Sequence, residues 1–299
     1  MNFFKKMNFP FSKILTFSML VSVGVVTAVF AFEPESLPKD PQKARELMLG
    51  GFLKSALENM HLAKMKIDDE ASFKALKEFI KKLDYGKQYL LKSDIEEFER
   101  RGTVLDDELE SGKLEFMEKA FEKLRQREDN VKTFVMARLK EKFEFTTDVK
   151  LETDPEKRSF VKNEQELKDL WEKILKYEVL SEYADLQQEQ DDTSANKDKK
   201  KTKKLKDNKG KKLTHDQLLV KSIEEVNKRY TKIFDRKDNR KRDFMLDKFY
   251  NSFTSIFDPH TYYLIPEEKD GFDIDMSGKL EGIGALLRED GIYIKVEDV

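Results

Sequence analysis

Apolar side chains recur along most of this chain at a spacing close to 3.6, the period of an amphipathic helix. Over Gln42–Ile67 they fall at Leu47, Leu49, Phe52, Leu53, Ala56, Leu57 and Met60. After Asp68-Asp69 the stripe resumes at Phe73, Leu76, Phe79, Ile80 and Leu83, and Asp84-Tyr85-Gly86 supplies a turn. Ser93 followed by Glu96 reads as a capping box opening a third helix. A long charged helix is expected from Asp106 to about Phe143, with Leu109, Leu114, Met117, Phe121 and Leu124 as its stripe, and another from Asn163 to about Gln190 around Trp171 and Leu175. Thr214 caps the next, which turns Leu218, Leu219, Ile223, Val226, Tyr230 and Phe234 inward. The last carries Phe244, Leu246, Phe249, Phe253, Ile256 and Phe257, and stops at Asp258-Pro259 because the residue before a proline avoids the helical region. These stripes read as core packing.

From Thr261 the pattern shifts to short extended segments. Leu280–Leu287 and Ile292–Val296 flank Arg288-Glu289-Asp290-Gly291, and an Asp-Gly pair between apolar runs signals a hairpin. Two or three strands cannot bury their own apolar face, so residues 258–299 are expected to be a linker and the opening of a β domain that continues past Val299.

Two stretches break the helical texture. Lys5, Lys6 and Lys13 precede Ile14–Phe32, which carries no charge, and Val29-Phe30-Ala31 resembles a signal-peptidase site. Residues 1–31 therefore read as a secretory signal, with an uncleaved inner-membrane anchor through residues 14–32 as the alternative. Either places the remainder in a bacterial envelope. Residues 191–212 hold ten Lys and four Asp with almost no apolar side chain, the mark of a solvated insertion within a helical domain spanning 32–257. No aromatic residues interleave the lysines for base stacking, so nucleic acid is not expected as a partner.

Composition narrows the chemistry. The 57 Lys+Arg nearly balance 59 Asp+Glu, leaving a net charge of −2, so the chain is no polycation. Absence of cysteine excludes disulfides, a thiolate nucleophile and thiolate-bound metal. His61, His215 and His260 are scattered, without a zinc-protease helix motif, and neither a nucleophile elbow nor a phosphate loop occurs. Asp273, Asp275, Ser277 and Gly278 imitate half of a calcium loop, but Gly284 stands where a bidentate Glu is required. No metal and no cofactor are expected. In Asp258-Pro259-His260-Thr261, adjacency of Asp and His is not a triad, and a helix stop with the ring packed against Tyr262 or Tyr263 is the plainer reading.

Gly282-Ile283-Gly284-Ala285 is the most informative short motif. A twisted or bulged strand is one reading. The other is a loop whose successive N–H groups capture a peptide's terminal carboxylate, with Ile283 lining an apolar pocket for the last side chain.

Taken together, several segments resemble one family. Lys228-Arg229-Tyr230, Asp258-Pro259-His260-Thr261-Tyr262-Tyr263-Leu264-Ile265-Pro266 and Met276-Ser277-Gly278-Lys279-Leu280-Glu281-Gly282-Ile283-Gly284-Ala285 look like the approach to the PDZ domain of tail-specific, or carboxy-terminal processing, proteases. Leu83-Asp84-Tyr85-Gly86-Lys87-Gln88-Tyr89-Leu90-Leu91-Lys92-Ser93-Asp94-Ile95 looks like the helical amino-terminal domain of the long periplasmic members. The resemblance implies a mainly α domain followed by the beginning of a β-rich PDZ domain that binds nonpolar carboxyl termini. A protease core with a Ser nucleophile and a Lys base would follow. It equates Gly282, Ile283, Gly284 and Ala285 with the carboxylate-binding loop and places the Ser and Lys beyond Val299, so this chain alone should not cleave peptides. Polypeptide substrates and an envelope adaptor are the implied partners. The lysine-rich insertion, and Tyr262 where a Ser is usual, depart from the pattern. The competing reading is a noncatalytic helical scaffold of the envelope.

Overall fold

A computed structural model describes residues 39–195, 212–277, 286–290 and 293–298. The expected signal or anchor, most of the lysine-rich insertion, and Gly282–Ala285 lie outside these residues. Within them the chain is mainly helical. No described helix is long and apolar enough to cross a membrane.

Helix α1 (Pro41–Asn59) starts behind Asp40, whose carboxylate accepts the Gln42 N–H. It ends eight residues before Ile67, where its expected run was to close. The chain loops instead, with Lys64 in the left-handed region (φ 44), and Glu58 accepts the Ile67 N–H so that Ile67 re-enters the core. Phe52 and Met60, assigned to the inner stripe by sequence, are 70% and 80% exposed, because α1 meets the core through Glu46, Gly50 and Leu57, with Leu49 and Leu53 packed beside them.

Helix α2 (Asp69–Leu83) is capped by Asp68, which accepts the N–H groups of Glu70 and Ala71. Acidic residues open it and Lys81 and Lys82 close it, matching the helix dipole. Phe79 meets Phe116, Phe121 and Phe249 at 6.0–6.3 Å, drawing two other helices onto one aromatic hub.

Helix α3 (Lys92–Glu99) begins ahead of the expected cap: Asp94, not Ser93, does the work, accepting the Leu91 N–H at 2.9 Å. The expected long helix from Asp106 is broken. A 3-10 turn (Gly102–Val104) leads into α4 (Leu105–Ser111), Gly112 turns at φ 65, and α5 (Glu115–Arg138) sets off anew. Glu108 reaches across this break to accept the N–H groups of Phe116 and Met117, doing for α5 what a capping side chain would.

Burial pushes the Glu108 carboxyl up to about 7, against the opposing pull of those two N–H groups. The folded state then holds this proton more tightly than the unfolded chain does. Stability from this group is therefore greatest below the ordinary carboxylate range and is lost as pH rises towards 7. We expect the denaturation midpoint to fall between pH 5 and pH 8 with a contribution of about 1–2 kcal/mol after solvent screening. Glu108→Gln should remove that part of the slope, and equal slopes in the two proteins would refute the assignment.

A long irregular segment after α5 packs Leu151, Phe160 and Val161 on the core and bridges Leu91 through Val161. Helix α6 (Glu164–Ala195) buries Trp171, whose ring lies between Tyr89 and Tyr230 at 5.7 Å from each and whose Nε1–H donates to the Gln88 carbonyl. The helix runs through Asp191–Ala195, which the sequence reading gave to the insertion. Gln190 pairs its amide with both backbone groups of Leu213, and Lys212 meets Asp191 at 3.1 Å, so the two ends of the lysine-rich stretch emerge side by side.

Helix α7 (His215–Asp238) has the expected Thr214 cap, completed by Gln217 bonding back to the Thr214 N–H. Helix α8 (Arg242–Phe257) ends at Asp258 as read. Arg242 reaches Glu46 on α1 through two bonds of 2.6 and 2.8 Å and Glu118 on α5 at 2.8 Å, tying three helices at one point. A similar tie joins buried Glu128 to Lys237 and Arg240.

The extended stretch expected after Thr261 is instead a helix, α9 (Pro266–Ser277). Phe272, Ile274 and Met276 alternate with acids, which imitates a strand. Pro266 at the first helical position and a Lys269–Asp273 pair one turn apart favour the helix, and all three apolar residues remain exposed. Asp273 and Asp275 thus lie on a helix, not in a cation-binding loop. Strands β1 (Leu286–Asp290) and β2 (Tyr293–Asp298) pair antiparallel, with Asp290 opposite Tyr293 and an irregularity at Leu286/Leu287. Arg288–Asp290, read as turn, belong to β1.

Candidate functional site

The residues singled out for peptide capture, Gly282 to Ala285, fall between the end of α9 and the start of β1, outside the described residues. What the structure does describe is how the chain is delivered towards them. Asp258 leaves α8 in extended conformation and its carboxylate accepts the His260 N–H at 2.6 Å, while its carbonyl accepts the Thr261 N–H. The turn is thus closed by its own first residue, a side-chain turn of the kind the Asp-Pro-His-Thr sequence favours.

Two contacts then pin the connector. His61, in the loop after α1, accepts the Ala63 N–H on Nδ1, which leaves a neutral ring's proton on Nε2 facing Thr261 Oγ1 at 3.2 Å. Its ring also meets Phe257 edge-on at 5.3 Å. Asn251, midway along α8, donates to the Tyr263 carbonyl and accepts the Tyr263 N–H, behaving as a short piece of strand edge. The Tyr263 ring packs against Tyr250 at 5.1 Å, and burial pushes its hydroxyl above the ordinary tyrosine range, with Arg45 opposing.

Sequence reasoning placed the ring of His260 in this packing. The structure gives the role to His61, two hundred residues away, and leaves His260 exposed. A contact across that separation leaves no local trace, and only the fold could reveal it.

No acid–base pair with access to a substrate is assembled at this connector. Elsewhere in the helical body the Ser72 hydroxyl donates to Asp106 Oδ1 at 2.5 Å and accepts the Asp106 N–H at 2.9 Å. Ser72 is fully buried, so the pair fixes α2 to α4 and can meet no substrate. Among the described residues no three His, Asp or Glu converge to hold a metal ion.

These elements define a helical carrier body that passes its chain, through a pinned connector, to a β ribbon. The chain belongs to the tail-specific protease N-terminal domain family, whose model matches residues 53–267. It is also 26% identical, over 98% of its length, to a tail-specific protease of Haemophilus influenzae, and spans 39% of that relative.

Proposed function

We propose that this chain is the leading part of an envelope serine peptidase, in which the helical body carries a peptide-capturing loop at Gly282–Ala285 ahead of the catalytic core. The family match over most of the helical body supports this reading, and the 39% coverage of the relative leaves room in such a protein for the Ser and Lys that the sequence resemblance places past residue 299. Substrates are polypeptides with free nonpolar carboxyl termini. Their carboxylate docks on backbone N–H groups of the Gly282–Ala285 loop while the main chain adds to a strand edge. The compartment is the periplasm, reached through the amino-terminal signal, and an envelope adaptor presents substrates.

The pinned connector gives the helical body its part in this scheme. Ordering the approach to the loop in advance lowers the entropy lost when a peptide is bound. In the full-length protein, Gly284→Asp is expected to weaken binding of an apolar-ended peptide about tenfold or more, by charge repulsion and bulk at the carboxylate. Fluorescence anisotropy with free and amidated versions of one peptide tests this. Equal affinity for the two versions in the parent protein would overturn the reading.

A further inference from the structure

The last turns of α2 and the Asp84–Lys87 turn after it, which the connector leaves unused, form one wall of a groove of about 310 Å³. Its opposite wall comes from the irregular segment around Pro155 and Phe160. Ile80, Tyr85, Pro155 and Phe160 give it an apolar lining, and Tyr85 is half exposed. Lys77, Lys81 and Lys87 stand around the rim.

Three lysines line this groove against two acids, Asp84 and Glu156, and neither acid is free. Asp84, the acid nearest its floor, is turned away, with its two oxygens taken by the N–H groups of Gln88, Tyr89 and Leu90. Lys77 has no ion-pair partner among the described residues. Lys81 touches Glu156 at 3.5 Å, with both side chains more than half exposed, so the contact is weak and replaceable. That contact also shows a carboxylate reaching the rim beside the Tyr85 ring, over which Lys81 sits at 5.7 Å. Lys87 is held by the Arg158 carbonyl and lies 5.9 Å from the Phe160 ring, on a backbone at φ 50 that a lysine seldom adopts.

Ammonium groups around an apolar floor match a ligand that brings carboxylates and one bulky apolar side chain together. Glu156, on the wall opposite the turn, disfavours a continuous polyanion such as nucleic acid. Lys77 and Lys81 are one helical turn apart, roughly 6 Å at their bases, close to the roughly 7 Å between alternate residues of an extended peptide.

We infer that this groove is a docking site for an extended acidic polypeptide segment, in which an aromatic or branched aliphatic residue is flanked by carboxylates. It is distinct from the capture of a free terminus at Gly282–Ala285, since its donors are side-chain ammonium groups and an internal segment suffices.

The test uses short fluorescent peptides blocked at both ends, so that terminus recognition cannot contribute. One carries a central Glu-Phe-Glu, one Gln-Phe-Gln and one Glu-Ser-Glu. The parent protein should bind the first, about tenfold or more tightly than either of the others, and less tightly as salt is raised. Lys77→Glu with Lys81→Glu should abolish that preference while circular dichroism shows the helical body still folded, and should favour a Lys-Phe-Lys peptide. Tyr85→Ala should weaken binding of the Glu-Phe-Glu peptide alone. Equal binding of the Glu-Phe-Glu and Gln-Phe-Gln peptides, unchanged affinity in the double variant, or no binding at millimolar protein would each overturn the inference. None of these outcomes bears on the Gly284→Asp experiment.

Discussion

Replacing Asp84 with alanine is expected to lower the unfolding free energy by about 3–5 kcal/mol, which is a large share of what a domain has. Three consecutive N–H groups, from Gln88, Tyr89 and Leu90, end on its carboxylate at 2.9 Å, and Tyr89 and Leu90 are buried. Alanine leaves those donors without an acceptor in a place water reaches poorly, and each costs about 1–3 kcal/mol. The damage should spread, because Trp171 donates to the carbonyl of Gln88 inside the same turn. Asn rescues only in part: its Oδ1 can still accept on one side while its amide faces an N–H group on the other, donor against donor, so Asp84→Asn should fall between alanine and the parent. Urea denaturation of the three proteins decides it, and a loss below about 1 kcal/mol for alanine would show that the turn is held by packing alone.

The second large effect is expected at Gly50. A Cβ built there would lie 2.1 Å from the Leu109 carbonyl oxygen, a backbone atom that cannot swing aside. Gly50→Ala must therefore lift α1 off α4, and the shift would strain the Arg242 bonds to Glu46 and the Tyr250 hydroxyl bond to the Glu46 carbonyl. A loss of about 2–4 kcal/mol is expected, combining overpacking with the weakened buried pair. Gly51→Ala is the matched control, since a Cβ there meets nothing within 4 Å and alanine favours a helix. Hydrogen exchange should show α1 amides losing protection in the first variant and keeping it in the second. Equal protection in both would mean that α1 is seated by its side chains and not by this close approach.

Where the sequence carried a local physical signal, the fold was legible. Thr214 with Gln217 marks the start of α7, Asp258-Pro259 marks the end of α8, and Leu76, Phe79 and Ile80 mark the inner face of α2, whereas Phe73 of the same stripe is exposed. The break at Gly112 is hidden in the sequence because the surrounding charges fit a continuous helix, whereas the backbone leaves the helical region at Gly112 and α5 restarts at Glu115. Helix α9 was missed for the opposite reason, as alternating Phe272, Ile274 and Met276 suggest a buried face that the molecule does not build. The candidate site is less legible than the fold. Gly282–Ala285 is a short motif whose meaning comes from family membership, and the contacts that steer the chain towards it, His61 with Thr261 and Asn251 with Tyr263, depend on tertiary approach.

The clasp between Gln190 and Leu213 has a practical corollary. Because α6 and α7 are already joined at the points where the lysine-rich stretch departs and returns, the length between them is nearly irrelevant to the helices: doubling such an excursion costs only about 0.6 kcal/mol in closure entropy. The position is therefore a ready port for grafting, where a reporter or affinity tag could be spliced in place of residues 196–211 while the helical body keeps its shape.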